Sequence, residues 1–251
     1  MSDSAASQSR CLNCDAELGA GRGFCAECGQ KATQSRLTLH HIAHELAHAL
    51  VPVDRSGFSR VRCLLLRPGF VAREYVEGKR RRYYGPFAFL VVVVALASAV
   101  ITISGFQTVS SSTPNVAADF IQHHVNLLFF AQVPLLAGLC GVLGGRRGRY
   151  NYAEYLVLAS YTSAMHVLFY AVIIVPAWYV FRPAADTASR LVYLYAPLWP
   201  VYFGYASSQF LPGNRFWGGI RGILAVLAAQ GITIVVISGS VNLYLRLVAP
   251  S

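Results

Sequence analysis

Four cysteines near the start of the chain have the spacing of a metal site. They form two Cys-x-x-Cys pairs separated by ten residues: Cys11, Cys14, Cys25 and Cys28. Each pair can place two thiolates on one tight turn, and Zn²⁺ favours a tetrahedron of four thiolates. A segment this short buries too little apolar surface to fold alone, so the metal would supply its folding energy. We predict a structural, non-catalytic zinc ribbon in residues 1–35, and favour it over rubredoxin-like iron, a disulfide or redox use.

A second motif, His-Glu-x-x-His, follows at His44, Glu45 and His48. On a helix its two histidines share a face and could hold zinc, with the glutamate as general base for a bound water. Proteases that use this motif need a turn soon afterwards, normally made by glycine, whereas Val51-Pro52 stands here. A histidine-rich stretch also matches the motif easily by chance. We therefore interpret it as coincidental and predict no enzymatic activity, with a membrane-associated metalloprotease as an alternative.

The junction at residues 67–89 orients the chain. Four basic residues at 79–82 precede Tyr83 and Tyr84, and an uncharged apolar run then extends to Phe106. A helix of about 20 such residues can cross a hydrocarbon core of roughly 30 Å. Reversing it would move the basic cluster through that core, at about 2.5–3.5 kcal/mol for each Arg. We expect the basic side in the cytoplasm and the tyrosines in the headgroup layer.

The composition is that of a membrane protein. Of the 251 residues, 55% are apolar and only 13% charged, whereas about a quarter are charged in soluble domains. The chain has a net charge of +10, but we do not expect nucleic acid as a partner. Most of its Lys and Arg residues lie at the ends of predicted crossings, and no groove-reading motif accompanies them. No signal-type apolar segment precedes the cysteines, so we expect them in the reducing cytosol.

Apolar segments alternate with polar loops after residue 85, and they predict an all-α polytopic domain over residues 86–251. In this arrangement 18 Lys and Arg residues lie on the cytoplasmic side and three on the other. The N-terminus would be cytoplasmic and the C-terminus on the opposite side. The five predicted crossings are 86–106, 125–143, 155–181, 191–211 and 222–247.

Residues 36–85 form an amphipathic juxtamembrane region. Apolar positions between Leu39 and Leu50 recur with helical spacing, which predicts an amphipathic helix. Further on, Arg60, Arg62 and Arg67 bracket apolar residues. A helix lying in the headgroup plane and a helix packed on the ribbon or the bundle both fit this pattern.

Polar groups inside the crossings are the candidates for a site in the bundle. His166 lies near the middle of the third crossing and Glu154 at its cytoplasmic end. Intramembrane ionisable groups are costly unless paired and are often functional, although a neutral histidine bonded to a hydroxyl needs no function. A small permease or channel that uses His166 is therefore an alternative function. Other polar residues in the crossings are Gln132, Gln209 and Gln230.

Prolines and glycines in the apolar segments predict local irregularities and close helix contacts. Pro176 lies in the third crossing, and proline can bend a helix. Gly218 and Gly219 precede the fifth crossing and Gly222 begins it, and these glycines would let another helix approach closely.

The N-terminal part of the chain resembles a bacterial family known only as domain of unknown function 3667. The resemblance implies an N-terminal zinc ribbon followed by a polytopic region in the bacterial inner membrane, and it implies no activity. It is most specific over residues 11–86. The segments that carry it are Cys11 to Cys14, Cys25 to Gln30, Asp54 with Gly57-Phe58, Leu65 to Gly69, and Tyr75 to Arg80.

The sequence thus predicts an integral inner-membrane protein with a non-enzymatic role. We expect the ribbon to bind a cytoplasmic protein partner and the helix bundle to anchor it in the lipid bilayer. The pattern gives no oligomeric state.

Overall fold

The computed structural model describes residues 10–19, 21–32, 36–39, 57–104, 116–144, 149–181 and 195–248. These ranges are helical apart from the cysteine-bearing N-terminal segment, where two isolated β-bridges form. A π-helical turn, Tyr170–Ile174, joins the helices Tyr152–Phe169 and Val175–Phe181 without a break. The helices are α1 (Gly57–Leu66), α2 (Pro68–Val76), α3 (Pro86–Ser104), α4 (Val116–Gly144), α5 (Tyr152–Phe169), α6 (Val175–Phe181), α7 (Leu198–Phe210) and α8 (Arg215–Val248).

In the part of the chain that the structure describes, three stretches of helix are long and apolar enough to cross a membrane. They are α3, the continuous helix Tyr152–Tyr179, and Arg215–Ser240 within α8. At 1.5 Å per residue they are about 28 to 42 Å long, which matches or exceeds a hydrocarbon core of about 30 Å. These stretches coincide with the first, third and fifth predicted crossings, and they support membrane association.

The second and fourth predicted crossings are not confirmed as spans. In α4, the side chains that the structure describes form the apolar stretch Phe130–Gly144, which by itself is shorter than the other three. Helix α7 has 13 residues and is therefore about 20 Å long, less than the thickness of the hydrocarbon core. It begins directly after Pro197, where the proline ring and the missing N–H oppose a helix continuing from the residues before. Within the residues that the structure describes there are thus three candidate spans, and five crossings stay a prediction.

Helix α5 lies at the centre of the bundle. Of its apolar span 72% is buried, against 33% for α3 and 22% for α8. It packs against α2, α3, α4 and α7. A polar residue on α5 is thus more enclosed by protein than one on the outer helices.

Helices α7 and α8 pack closely through glycine, as the sequence predicts. A Cβ atom on Gly222 would lie 2.6 Å from Cβ of Ser207, and one on Gly218 would lie 3.3 Å from the Ser207 carbonyl oxygen. On the facing helix, a Cβ on Gly204 would lie 2.6 Å from Ile223. The missing side chains let the two backbones approach, which is a common way for helices to associate where lipid surrounds them.

Helices α1 and α2 pack on the bundle. The hydroxyls of Tyr202 and Tyr205 on α7 donate to the carbonyl oxygens of Leu64 (2.8 Å) and Leu66 (2.9 Å). These carbonyls belong to the last turn of α1, which has no intrahelical partners for them. Of the two arrangements that the sequence leaves open, the contacts favour packing against the bundle.

The two tyrosines before α3 are part of the core and do not occupy an exposed rim. Tyr83 is 9% exposed and Tyr84 8%. The Tyr84 ring stacks on Phe89 at 5.9 Å, and the Arg60 guanidinium lies 5.0 Å from its centroid. The hydroxyl of Tyr161 on α5 donates to the Tyr84 carbonyl. Both rings are thus packed within the protein, and their position in the headgroup layer stays a prediction.

Candidate metal centre

The four predicted cysteine ligands lie together in the N-terminal segment. The sulfur atoms of Cys11 and Cys28 are 3.6 Å apart, as are those of Cys14 and Cys25. All four lie within 4.8 Å of one another. Metal–sulfur bonds of about 2.3 Å give a tetrahedron with edges of about 3.8 Å. The cluster can therefore hold one four-coordinate ion, although this geometry does not identify the metal.

Each Cys-x-x-Cys pair is closed by the same backbone turn. The N–H of Asp15 donates to the Cys11 carbonyl (2.9 Å), and the N–H of Gly29 donates to the Cys25 carbonyl (3.0 Å). Both donors have positive φ, 59° at Asp15 and 69° at Gly29. Glycine adopts this conformation without steric cost, and aspartate is one of the few other residues that visit it. The two halves of the site are thus structural repeats.

The pKa values of the clustered thiols show how each thiolate is affected by its neighbours. The backbone N–H of Cys28 lowers the pKa of the Cys25 thiol to about 7, helped by that of Glu27 and against the effect of desolvation. At Cys14 the N–H of Ala16 favours the thiolate, but desolvation and three neighbouring thiols raise its pKa to about 12. Four thiolates cannot share this space unless a cation compensates their charge.

Within the described ranges, the structure shows no other group of three or more His, Cys, Asp or Glu side chains with metal-binding geometry. The four sulfur ligands complete a tetrahedral shell, so no coordination position is open to substrate or water. The arrangement fits an ion that holds the ribbon together and does not fit a catalytic ion.

The second Cys-x-x-Cys turn, which we call the second knuckle, contacts the basic segment at residues 79–82. Gln30 is 3% exposed, and its side-chain oxygen accepts a hydrogen bond from the backbone N–H of Arg81 (3.3 Å). The Arg81 guanidinium lies beside Gly29, 3.5 Å from where a Cβ would be. The second knuckle is therefore in contact with the basic cluster at residues 79–82.

The linker after the ribbon is fixed to the start of α5. Arg36 makes a two-point ion pair with Glu154, at 2.8 and 3.0 Å, which raises the pKa of the guanidinium. Glu154 also closes a capping box with Asn151, whose side-chain N–H₂ donates to the Leu37 carbonyl (3.0 Å). Leu37 itself is 1% exposed. Glu154, a candidate for a site in the bundle, thus helps to attach the ribbon.

A buried carboxylate, Glu74 on α2, organises the basic segment. It accepts hydrogen bonds from Lys79 (2.6 Å) and from the hydroxyl of Tyr83, and Arg82 lies 3.9 Å away. Desolvation opposes its ionisation, but these partners outweigh it and hold the pKa of Glu74 below its ordinary value. Desolvation raises the pKa of the Tyr83 hydroxyl, and the hydrogen bond with Glu74 raises it further.

We expect Glu74→Gln to destabilise the fold by about 1.5–3 kcal/mol, since hydrogen bonds to a buried charged group are lost. Because the folded pKa is depressed, the stabilisation is present above the unfolded value of about 4.3 and is lost as pH falls through the folded value. Thermal unfolding between pH 3 and pH 7 would measure this. Glu77→Gln, which removes an exposed charge on the next turn, is the matched control. Equal melting temperatures for the two variants would contradict the assignment.

The polar groups of the bundle are engaged in packing. The His166 imidazole stacks on Trp199 at 4.4 Å and on Tyr195 at 5.5 Å. Gln209 accepts hydrogen bonds from the N–H groups of Gly69 (3.1 Å) and Phe70 (3.2 Å) at the start of α2. Gln209 therefore caps a helix, a role that only the tertiary structure reveals. Transport through His166 stays a prediction.

The His-Glu-x-x-His motif at His44, Glu45 and His48 lies outside the described residues. Its interpretation as coincidental therefore also stays a prediction.

The site and the fold define an all-helical protein with candidate membrane spans and a four-cysteine cluster. A family model described as "Protein of unknown function (DUF3667)" matches residues 58–97. The match covers α1, α2, the basic segment and the first part of α3, and it confirms the resemblance seen in the sequence. Neither the curated proteins nor the solved structures compared with the chain gave a match.

Proposed function

We propose that this protein is a non-enzymatic adaptor of the bacterial inner membrane, whose zinc ribbon binds a protein partner at the cytoplasmic face. The supporting observation is that a closed four-thiolate site is fixed, through Gln30 and Arg36, to the end of the bundle that carries the basic cluster. Such clusters favour the cytoplasmic side. The proposal keeps five crossings, and reporter fusions at both termini that indicate one compartment would refute that topology.

Phe24 is the residue that we propose as the partner's anchor. It is 63% exposed, although the next residue, the ligand Cys25, is 3% exposed. Its backbone is held by a bridge to Lys31, so the ring projects from a metal-stabilised turn. An exposed aromatic on a rigid support loses little entropy on binding and is a frequent interface hot spot.

A photoreactive amino acid at the exposed position Glu27, on the same knuckle, tests the proposal in living cells. We expect a crosslinked protein of defined mass, whose yield falls at least fivefold in Phe24→Ser. Ala26→Ser, an exposed change two residues away, is the matched control and should keep the yield. Absence of a crosslinked protein, or equal loss in both variants, would refute Phe24 as the anchor of a partner.

A further inference from the structure

A cavity of about 560 Å³ lies between the π-helical turn and one face of α7. Phe169 and Ile173 line one side. The other side is formed by α7 residues that recur at spacings of three and four, including Leu198, Val201 and Tyr205. The volume falls within the roughly 300–1,000 Å³ of ligand pockets. This cavity is separate from the metal centre and from the proposed partner surface.

The π-helical turn is the local cause of the cavity's shape on the α5 side. The backbone N–H of Val175 donates to the Tyr170 carbonyl, five residues earlier. Pro176 follows and has no N–H with which to continue the α-helical ladder. A π turn is less favourable than regular helix and occurs often at functional sites. Here it positions Ile173 and Ile174 at the cavity.

The tyrosines around the cavity line it with their rings, because their hydroxyls donate hydrogen bonds to backbone carbonyls. The hydroxyl of Tyr195 donates to the His166 carbonyl at 2.9 Å. Those of Tyr202 and Tyr205 donate to the last carbonyls of α1. Among the described residues that line the cavity there is no lysine, arginine, aspartate or glutamate; its ring nitrogens belong to His166 and Trp199, whose rings stack on each other at 4.4 Å. The lining therefore suits hydrocarbon and gives little to a polar solute.

The mouth of the cavity opens where the helices would meet lipid. Ile173, Leu198 and Val201 line it and are 54%, 57% and 59% exposed. Ile173 belongs to the candidate span Tyr152–Tyr179. At 1.5 Å per residue, Ile173 lies about 32 Å along the helix from Tyr152, the end at which the ribbon is attached. An occupant would thus enter sideways from the membrane, at the end of the bundle distant from the ribbon.

We propose that this cavity binds one hydrocarbon chain of a membrane lipid, while the headgroup stays outside. Three features favour such an occupant: the apolar lining, a mouth that includes Ile173 of a candidate span, and the π turn at one wall. Trp199 is also among the lining residues and is 2% exposed, so a quencher on a chain inside the cavity would lie close to its indole while the protein shields the indole from the surrounding lipid.

Tryptophan quenching by brominated lipid tests the proposal. Trp178→Phe/Trp217→Phe leaves Trp199 as the single tryptophan of the full chain. In vesicles of phosphatidylcholine with brominated acyl chains, we expect its fluorescence to fall at least twofold relative to unbrominated vesicles. A lipid with a quencher on the headgroup should leave it nearly unchanged. Equal quenching by the two lipids, or no quenching by either, would overturn the proposal.

Blocking the mouth provides the matched comparison. In the single-tryptophan background, we expect Val201→Phe to reduce chain-dependent quenching at least twofold, and Ile173→Phe to do the same. Leu224→Phe adds the same ring volume at a 49% exposed position of α8, away from the cavity, and should leave quenching unchanged. Circular dichroism confirms that each variant is folded. Undiminished quenching in both folded mouth variants would overturn the proposal.

Discussion

Replacing Cys11 and Cys14 by serine is expected to reduce the metal content of the purified protein from one ion per chain to none. The double variant removes two of four sulfur ligands. Structural zinc supplies on the order of 10–16 kcal/mol of apparent folding energy in small ribbons, more than the apolar core of so short a segment. The ribbon should unfold and become sensitive to protease, while the helical bundle keeps its circular dichroism. Elemental analysis measures the loss.

Cys63→Ser is the matched control, because Cys63 is an exposed thiol on α1 that is outside the cluster. It should keep one ion per chain. The same analysis identifies the metal, which we propose to be zinc. Two ions per chain in the parent protein would indicate a second site and favour metal binding at His44 and His48. A double cysteine variant that keeps its full metal content would contradict the four-thiolate assignment.

Gly69→Ala is expected to lower the melting temperature by about 6–12 °C, which corresponds to about 3 kcal/mol in a domain of this size. A Cβ at Gly69 would overlap the carbonyl oxygen of Ala206 on α7 and lie 2.8 Å from Cβ of Gln209. The obstacle is backbone, so relief requires moving α2 away from α7. That movement would also break the hydrogen bond from the Gly69 N–H to Gln209.

Gly231→Ala on α8 is the matched control for this change. A Cβ there meets no atom within 4 Å, and alanine is the better helix former. It should leave the melting temperature unchanged or raise it slightly. Thermal unfolding of both variants in the same detergent makes the comparison. Equal melting temperatures would show that α2 and α7 are not packed as closely as described.

The metal ligands and the apolar stretches could be predicted from the sequence because both are local properties. A Cys-x-x-Cys pair brings two sulfurs together through one turn, whatever the rest of the chain does. The length and hydropathy of α3 follow from 19 consecutive residues. The three candidate spans and the cysteine cluster agree with the sequence analysis for this reason.

The fourth crossing shows where such local information ends. Residues 191–211 are apolar enough on average to suggest a span, but the helix that the structure describes within this range, Leu198–Phe210, has 13 residues. Hydropathy records the solvent that a segment prefers and gives little information on where the helix starts. Helix α7 follows Pro197 and packs against α2, α5 and α8, which hydropathy does not record.

By itself the sequence determined the two Cys-x-x-Cys pairs, the three apolar stretches that the structure supports as candidate spans, and the basic cluster beside the first of them. Only the tertiary structure decided what the isolated polar residues do. Glu154 pairs with Arg36 across 118 positions, and Gln209 caps α2 across 140. The apolar cavity likewise depends on the alignment of a π turn with α7. Such contacts join residues that are distant along the chain, and their formation depends on how whole helices pack.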